Sequence, residues 1–150
     1  MGKDSGLETG ATTRERNRME FDHVGIAVTD IEEALRLHVD RLGGELLHRE
    51  RVEHEGVELA FVGQIEILAP LPEQENALLR FLQQRGEGLH HLAYRVEDLD
   101  ETLERMRAGG FEVVEGYPKF GARGMRVAFL HPKTTGGVLF ELCERPEEDN

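Results

Sequence analysis

Two histidines and two glutamates stand at matching places in this sequence, and their types are those of a divalent metal site. His23 lies in Phe21-Asp22-His23-Val24-Gly25-Ile26-Ala27-Val28-Thr29-Asp30-Ile31. His91 lies 68 residues on, in Leu89-His90-His91-Leu92-Ala93-Tyr94-Arg95-Val96-Glu97-Asp98-Leu99, a second version of the same stretch. Glu66 and Glu141 occupy two further apolar runs, Gln64-Ile65-Glu66-Ile67-Leu68 and Leu139-Phe140-Glu141-Leu142-Cys143. A carboxylate inside such a run is costly to bury unless it is paired or bound to a metal. Two imidazole nitrogens and two carboxylates suit a first-row divalent cation with coordination positions left open for a substrate. Duplicated halves related by a pseudo-twofold axis would bring all four to one point.

Alternation separates the ligand candidates from their neighbours. In the first copy His23, Gly25 and Ala27 face one way and Val24, Ile26 and Val28 the other. The repeat pairs His91 with His23, which puts His90 on the opposite face with Leu92 and Tyr94. His38, His48 and His54 have no counterpart in the other half and read as surface or packing histidines. The small residues Gly25, Ala27 and Ala93 share the histidines' faces and are expected to leave room for a ligand.

The elements that must position these residues follow from the same repeat. After each strand the apolar period becomes helical, with Ile31, Ala34, Leu35 and Leu42 in the first copy and Leu99, Leu103 and Met106 in the second. Thr29 with Glu32 and Asp98 with Glu101 have capping spacing, and Gly43-Gly44 and Gly109-Gly110 end the two helices. Strands are expected at 45–51, 57–62 and 64–69, and again at 111–115, 126–130 and 138–143. A helix over 73–85 joins the halves, and Gly86-Glu87-Gly88 breaks it. The fold class is therefore α+β: two tandem βαβββ modules, about 21–70 and 89–144, in a shared curved mixed sheet with helices outside. Because 50 to 60 residues with one helix is marginal alone, the modules are read as a single domain over 20–146. Residues 1–19 read as a disordered leader and 147–150 as an acidic tail.

Composition excludes other classes. A net charge of −12 repels nucleic acid and anionic membranes, and no run approaches the roughly 18 apolar residues of a membrane span. The single cysteine, Cys143, has no disulfide partner and reads as a small buried hydrophobe. The expected location is the cytoplasm. Within this acidic chain, Lys119-Phe120-Gly121-Ala122-Arg123-Gly124-Met125-Arg126 with Lys133 forms a basic, glycine-containing patch, either a phosphate-binding loop or a solvated hairpin.

Two stretches carry a resemblance. Gly86-Glu87-Gly88-Leu89-His90-His91-Leu92-Ala93 and Phe129-Leu130-His131-Pro132-Lys133-Thr134-Thr135-Gly136-Gly137-Val138-Leu139-Phe140-Glu141-Leu142 resemble the methylmalonyl-CoA epimerases. These are enzymes of the vicinal-oxygen-chelate, or glyoxalase-like, superfamily, and the likeness runs from about Phe21 to Glu144, with Asp22-His23-Val24 as the opening strand. The resemblance implies that His23, Glu66, His91 and Glu141 bind a divalent metal, cobalt first, with manganese, nickel or zinc as alternatives. It makes Glu141 also the catalytic base, notes that glutamine occurs in the family at the position of Glu66, and implies a coenzyme A thioester substrate and a homodimer. The implied reaction is epimerisation by removal of the proton beside the thioester, through a metal-stabilised enolate. Some members carry a second glutamate three positions after the glycine matching Gly56. Leu59 stands there, so a second proton carrier is either Glu58 after a register shift, a water, or another group. The alternatives of a different kind are a glyoxalase I-type lactoylglutathione lyase and a non-catalytic small-molecule-binding member of the fold.

Overall fold

Strict alternation from Glu20 onward gives the first strand, β1 (Glu20–Ala27), in which His23, Gly25 and Ala27 are buried. The computed structural model describes residues 18–72 and 75–145. The acidic tail and all but the last two residues of the expected leader lie outside the described residues. The chain divides into two compact units, residues 22–93 and residues 94–145 with 18–21.

In the unit of residues 22–93, β1 leads to α1 (Ile31–Leu35), which continues in π-helical winding over Arg36–Arg41. Three strands follow, β2 (Leu46–Val52), β3 (Val57–Val62) and β4 (Ile65–Pro70), then α2 (Ala77–Arg85) and the start of β5 (Gly88–Val96). The strand order is β2-β3-β4-β1-β5. β3 is antiparallel to both β2 and β4, and β1 runs parallel to β4 with Gly25 opposite Glu66 and Ala27 opposite Leu68. One face of this sheet is apolar and covered: Ala60, Val62, Ile67 and Ala69 pack with Val28 and with Ile31, Ala34 and Leu35 of α1. The other face carries His23, Glu66 and Phe61.

The first helix departs from expectation at both ends. Its N-cap is Asp30, whose side chain accepts from the Glu32 and Glu33 amides at 3.0 and 3.2 Å. Thr29 instead gives its backbone N–H and its hydroxyl to Glu87, at 2.8 and 2.9 Å. Asp30 is one residue closer to the helix and reaches its first free amides, which leaves Thr29 to a long-range partner. At the other end Leu42 is 68% exposed. Bonds of the i to i+5 type, such as Leu42 N–H to Leu37 C=O at 2.9 Å, widen the winding and carry Leu42 off the buried stripe. The connecting helix α2 is shorter than expected. Asn76 caps it by accepting from the Leu79 amide at 2.8 Å, so it begins at Ala77.

The other unit holds the end of β5 from Tyr94, then α3 (Leu99–Ala108), β6 (Lys119–Phe120), β7 (Arg126–Leu130) and β8 (Phe140–Glu144). β7 is antiparallel to both β6 and β8. Asp98 caps α3 as expected, accepting from the Glu101 amide at 3.1 Å. Leu99 and Leu103 of α3 pack with Val96, Ala128, Leu130 and Leu142. The strand expected at 111–115 is reduced to one bridge, Val113 to Leu130, beside two backbone bonds. Left-handed Gly116 and Pro118, which has no N–H, follow it and end the pairing early. Cys143 is fully buried, with its thiol 3.6 Å from the Tyr94 carbonyl. Among the described residues no helix is long and apolar enough to cross a membrane.

Candidate metal centre

Three of the four predicted residues lie in the unit of residues 22–93, and their donor atoms converge. His23 Nε2 is 3.1 Å and His91 Nε2 3.3 Å from Glu66 Oε1, and the two imidazole nitrogens are 3.3 Å from each other. Donors at about 2.0–2.2 Å from one ion stand about 2.8–3.6 Å apart across a face of its octahedral or tetrahedral shell. The triangle has the size of such a face, so the donor set fits a divalent cation in both chemistry and dimension. All three side chains are buried, with relative exposures of 2–4%. Burial pushes the Glu66 carboxyl up, but the hydrogen bonds and charge of His23 and His91 outweigh it and hold the group below the usual carboxylate range.

Each imidazole is fixed from behind. Asp22 Oδ2 is 2.7 Å from His23 Nδ1, so Nδ1 donates and the Nε2 lone pair faces the cluster. His91 Nδ1 meets His90 Nδ1 at 2.9 Å. Burial first, then the charge of His91, pushes His90 down to about 4. A neutral His90 can therefore accept from His91 Nδ1–H, which again leaves Nε2 for a ligand. His90 also sits edge-on to Phe81 of α2, at 4.7 Å between ring centroids. His90 is not itself a member of the cluster, as alternation predicts, but its contact with His91 is one that alternation alone does not reveal.

Gly25 has a different use from the one expected. A Cβ on Gly25 would lie 2.2 Å from Cε1 of His91, so the space beside β1 is filled by the His91 ring rather than kept for a ligand. The ring of Phe61 stands edge-on to His23 at 5.0 Å and completes the wall.

Glu141 belongs to the other unit, where it is 8% exposed. Its local setting repeats that of Glu66. Each is the second residue of its strand, and each stands directly across an antiparallel pair from a phenylalanine, Phe61 for Glu66 and Phe129 for Glu141.

Glu58 is removed as a second proton carrier. It pairs with Arg51 and Ala69 in the register, on the sheet face covered by α1, and its carboxylate binds Arg49, which also binds Glu32 of α1. No register shift turns it over, and Leu59 is the residue on the cluster's face, 3% exposed. His48 and Glu50 lie on that same face, because they pair with Phe61 and Leu59 across β2 and β3. The unbroken register from Val52–Val57 to His48–Phe61 sets this parity, and a bulge lies beyond it, between Leu46 and His48. In the basic patch, Arg123 adopts a left-handed backbone (φ 59°) in a short turn over Ala122–Gly124, and Lys119 lies over the Tyr117 ring at 4.8 Å.

The chain matches the Glyoxalase/Bleomycin resistance protein/Dioxygenase superfamily over residues 22–129, and it belongs to that superfamily. Within it, the chain is 38% identical to the ethylmalonyl-CoA/methylmalonyl-CoA epimerase of Cereibacter sphaeroides over 128 residues, 81% of this chain and 95% of that protein. It is also 38% identical to YqjC of Bacillus subtilis, a protein described as uncharacterized, over 83% of this chain and 91% of the other. Among solved structures it is similar to a variant of the Streptomyces coelicolor methylmalonyl-CoA epimerase in complex with 2-nitronate-propionyl-CoA. That likeness has a TM-score of 0.79 and 33% identity, covering 85% of this chain and 95% of that one.

Proposed function

We propose that this chain is a metal-dependent epimerase that interconverts the two epimers of methylmalonyl-CoA. The observation that carries the reading is the triangle of Glu66, His23 and His91, two imidazoles and a carboxylate whose donor atoms converge. Glu141 is assigned as the fourth ligand and as the base. Its burial and its place opposite Phe129 duplicate those of Glu66, as the internal repeat requires. The relatives' names support the substrate class, a coenzyme A thioester. Cobalt is the first candidate ion, with manganese, nickel and zinc as alternatives, and the reading carries with it a cytoplasmic homodimer.

The hydrogen beside a thioester is weakly acidic, and its removal near neutral pH depends on stabilising the charge that develops on the thioester oxygen. A bound divalent ion supplies that stabilisation as a Lewis acid. The residues of the chain do the rest. Asp22 and His90 keep the imidazole tautomers fixed, Gly25 and Phe61 keep the rings in place, and Glu141 takes the proton.

The test is solvent-deuterium exchange at the carbon beside the thioester of methylmalonyl-CoA, followed by NMR with metal-loaded and chelator-treated protein in parallel. Metal-dependent exchange with interconversion of epimers is the expected result. Absence of exchange in protein shown to hold its metal would sink the reading and bring forward the glyoxalase I-type lyase, tested with a glutathione hemithioacetal.

A further inference from the structure

We infer that the His48–Glu50 pair is the second proton carrier of this site. The inference rests on the epimerase reading above. Inverting a carbon requires the proton to leave from one side and another to arrive on the opposite side. One carboxylate held on one side of the substrate cannot do both. In the unit of residues 22–93 the face that carries Glu66, His23 and His91 also carries His48 and Glu50, with His48 opposite Phe61 and Glu50 opposite Leu59. His48 stands in the same cross-strand row as Phe61 and Glu66, about 10 Å from Glu66 at about 4.8 Å per strand, and Glu50 is one pleat further along. Its ring centroid is 6.4 Å from that of Phe61, which in turn touches His23.

The two side chains are joined by a short contact, His48 Nε2 to Glu50 Oε1 at 2.5 Å, so one proton lies between them. They are 38% and 29% exposed, open enough to exchange that proton with water, while Glu66 is sealed at 5%. Arg49 and Arg51, the alternate residues of β2, are turned to the other face, where Arg49 meets Glu58 and Glu32. The register of the β2–β3 hairpin, unbroken from Val52–Val57 to His48–Phe61, therefore directs one hydrogen-bonded acid–base pair toward the site and the neighbouring arginines away from it.

The base takes the proton from the carbon beside the thioester, and the electron pair of that C–H bond passes into the enolate. With His48 carrying protons on both ring nitrogens beside the Glu50 carboxylate, the pair gives one of them to the opposite side, and the same electron pair forms the new C–H bond. The base is left protonated and the pair is left as a neutral imidazole hydrogen-bonded to the Glu50 carboxylate. Both return to their starting states by exchange with water, and the reverse reaction runs the same path with the roles exchanged.

The experiment follows single epimers of methylmalonyl-CoA in deuterated water with wild-type protein and with H48Q, E50Q and, as a control from the helix-covered face, E58Q. Metal content and melting temperature are measured on each. The expected result is that H48Q and E50Q hold metal and melt like wild type but interconvert the epimers about a hundredfold more slowly or worse. One epimer should continue to take up deuterium without inverting, a signature that general structural damage does not produce. E58Q should match wild type in both rates. Interconversion within about threefold of wild type in either variant would overturn the inference, and so would loss of exchange together with interconversion in a variant that still holds metal. If wild-type protein itself shows neither process, the epimerase reading fails, and the two failures are told apart by that arm alone.

Discussion

At the scale of single residues, the site depends on groups that stand behind its donor atoms. Asp22 is a hydrogen-bond acceptor for the His23 ring at 2.7 Å, and Gly25 is an absence of atoms that admits the His91 ring. Asp22→Asn weakens the acceptor that fixes the His23 tautomer, and Gly25→Ala puts a methyl 2.2 Å from a ring carbon that backbone and neighbours hold in place. Both are expected to lower metal affinity by about ten- to a hundredfold, as read by calorimetric titration of the metal-free protein. They should separate in their cause. Asp22→Asn acts on the electronics of His23 and leaves the fold unchanged, whereas Gly25→Ala displaces a buried ring and also lowers the melting temperature. Unchanged affinity in both would mean that the cluster does not bind through these two nitrogens. The convergence of His23, Glu66 and His91 was legible in the sequence because the repeat selects them and their chemistry suits one another. Asp22 was legible only as a neighbour, since adjacency in a strand does not say that a side chain curls back to the next ring. The task of Gly25 was misread because an empty position on a strand face has the same sequence whether a ligand or a protein side chain fills it.

At the scale of elements, apolar period and caps gave the helices and most of the strands, and the departures have local causes. Asp30 displaced Thr29 as the first cap, and Thr29 became a donor to Glu87 across 58 residues of chain. That bond pins the end of β1 to the loop before β5, the two strands that carry His23 and His91. The Thr29 amide first, then its hydroxyl, holds the Glu87 carboxyl below its ordinary value of 4.5. A carboxyl lowered by folding stabilises the protein fully above its unfolded value and loses that contribution as the pH falls through the lowered one. Glu87 is exposed, so the effect is small. Glu87→Gln is expected to melt slightly below wild type at neutral pH, with the gap closing in acid below the ordinary carboxylate range. A gap independent of pH would assign the contribution to shape rather than charge. The facing of β2 was beyond sequence reading, because His48 and Glu50 alternate with Arg49 and Arg51, and an all-polar alternation does not say which set faces the site.

At the scale of the whole chain, duplication supplies matched residues, and the proposed reaction would give them unequal tasks. Glu66 and Glu141 have the same place in their strands, the same phenylalanine opposite and nearly the same burial, 4% and 8%. If both are ligands but only Glu141 also moves a proton, neutral amides at the two positions must have different consequences. An amide oxygen still serves as a metal ligand but cannot act as a base at neutral pH. Glu66→Gln should therefore bind metal more weakly yet keep deuterium exchange within about tenfold of wild type once saturated. Glu141→Gln should also keep a metal under saturating conditions but lose exchange of the epimer that Glu141 deprotonates by about a hundredfold to ten-thousandfold. Metal content by elemental analysis and exchange by NMR on the same samples decide the matter. Equal losses in the two variants would return both glutamates to a purely ligating role, and the base would then have to be sought among the other groups on the face that carries Phe61 and His48. Loss confined to Glu66→Gln would reverse the assignment of the halves.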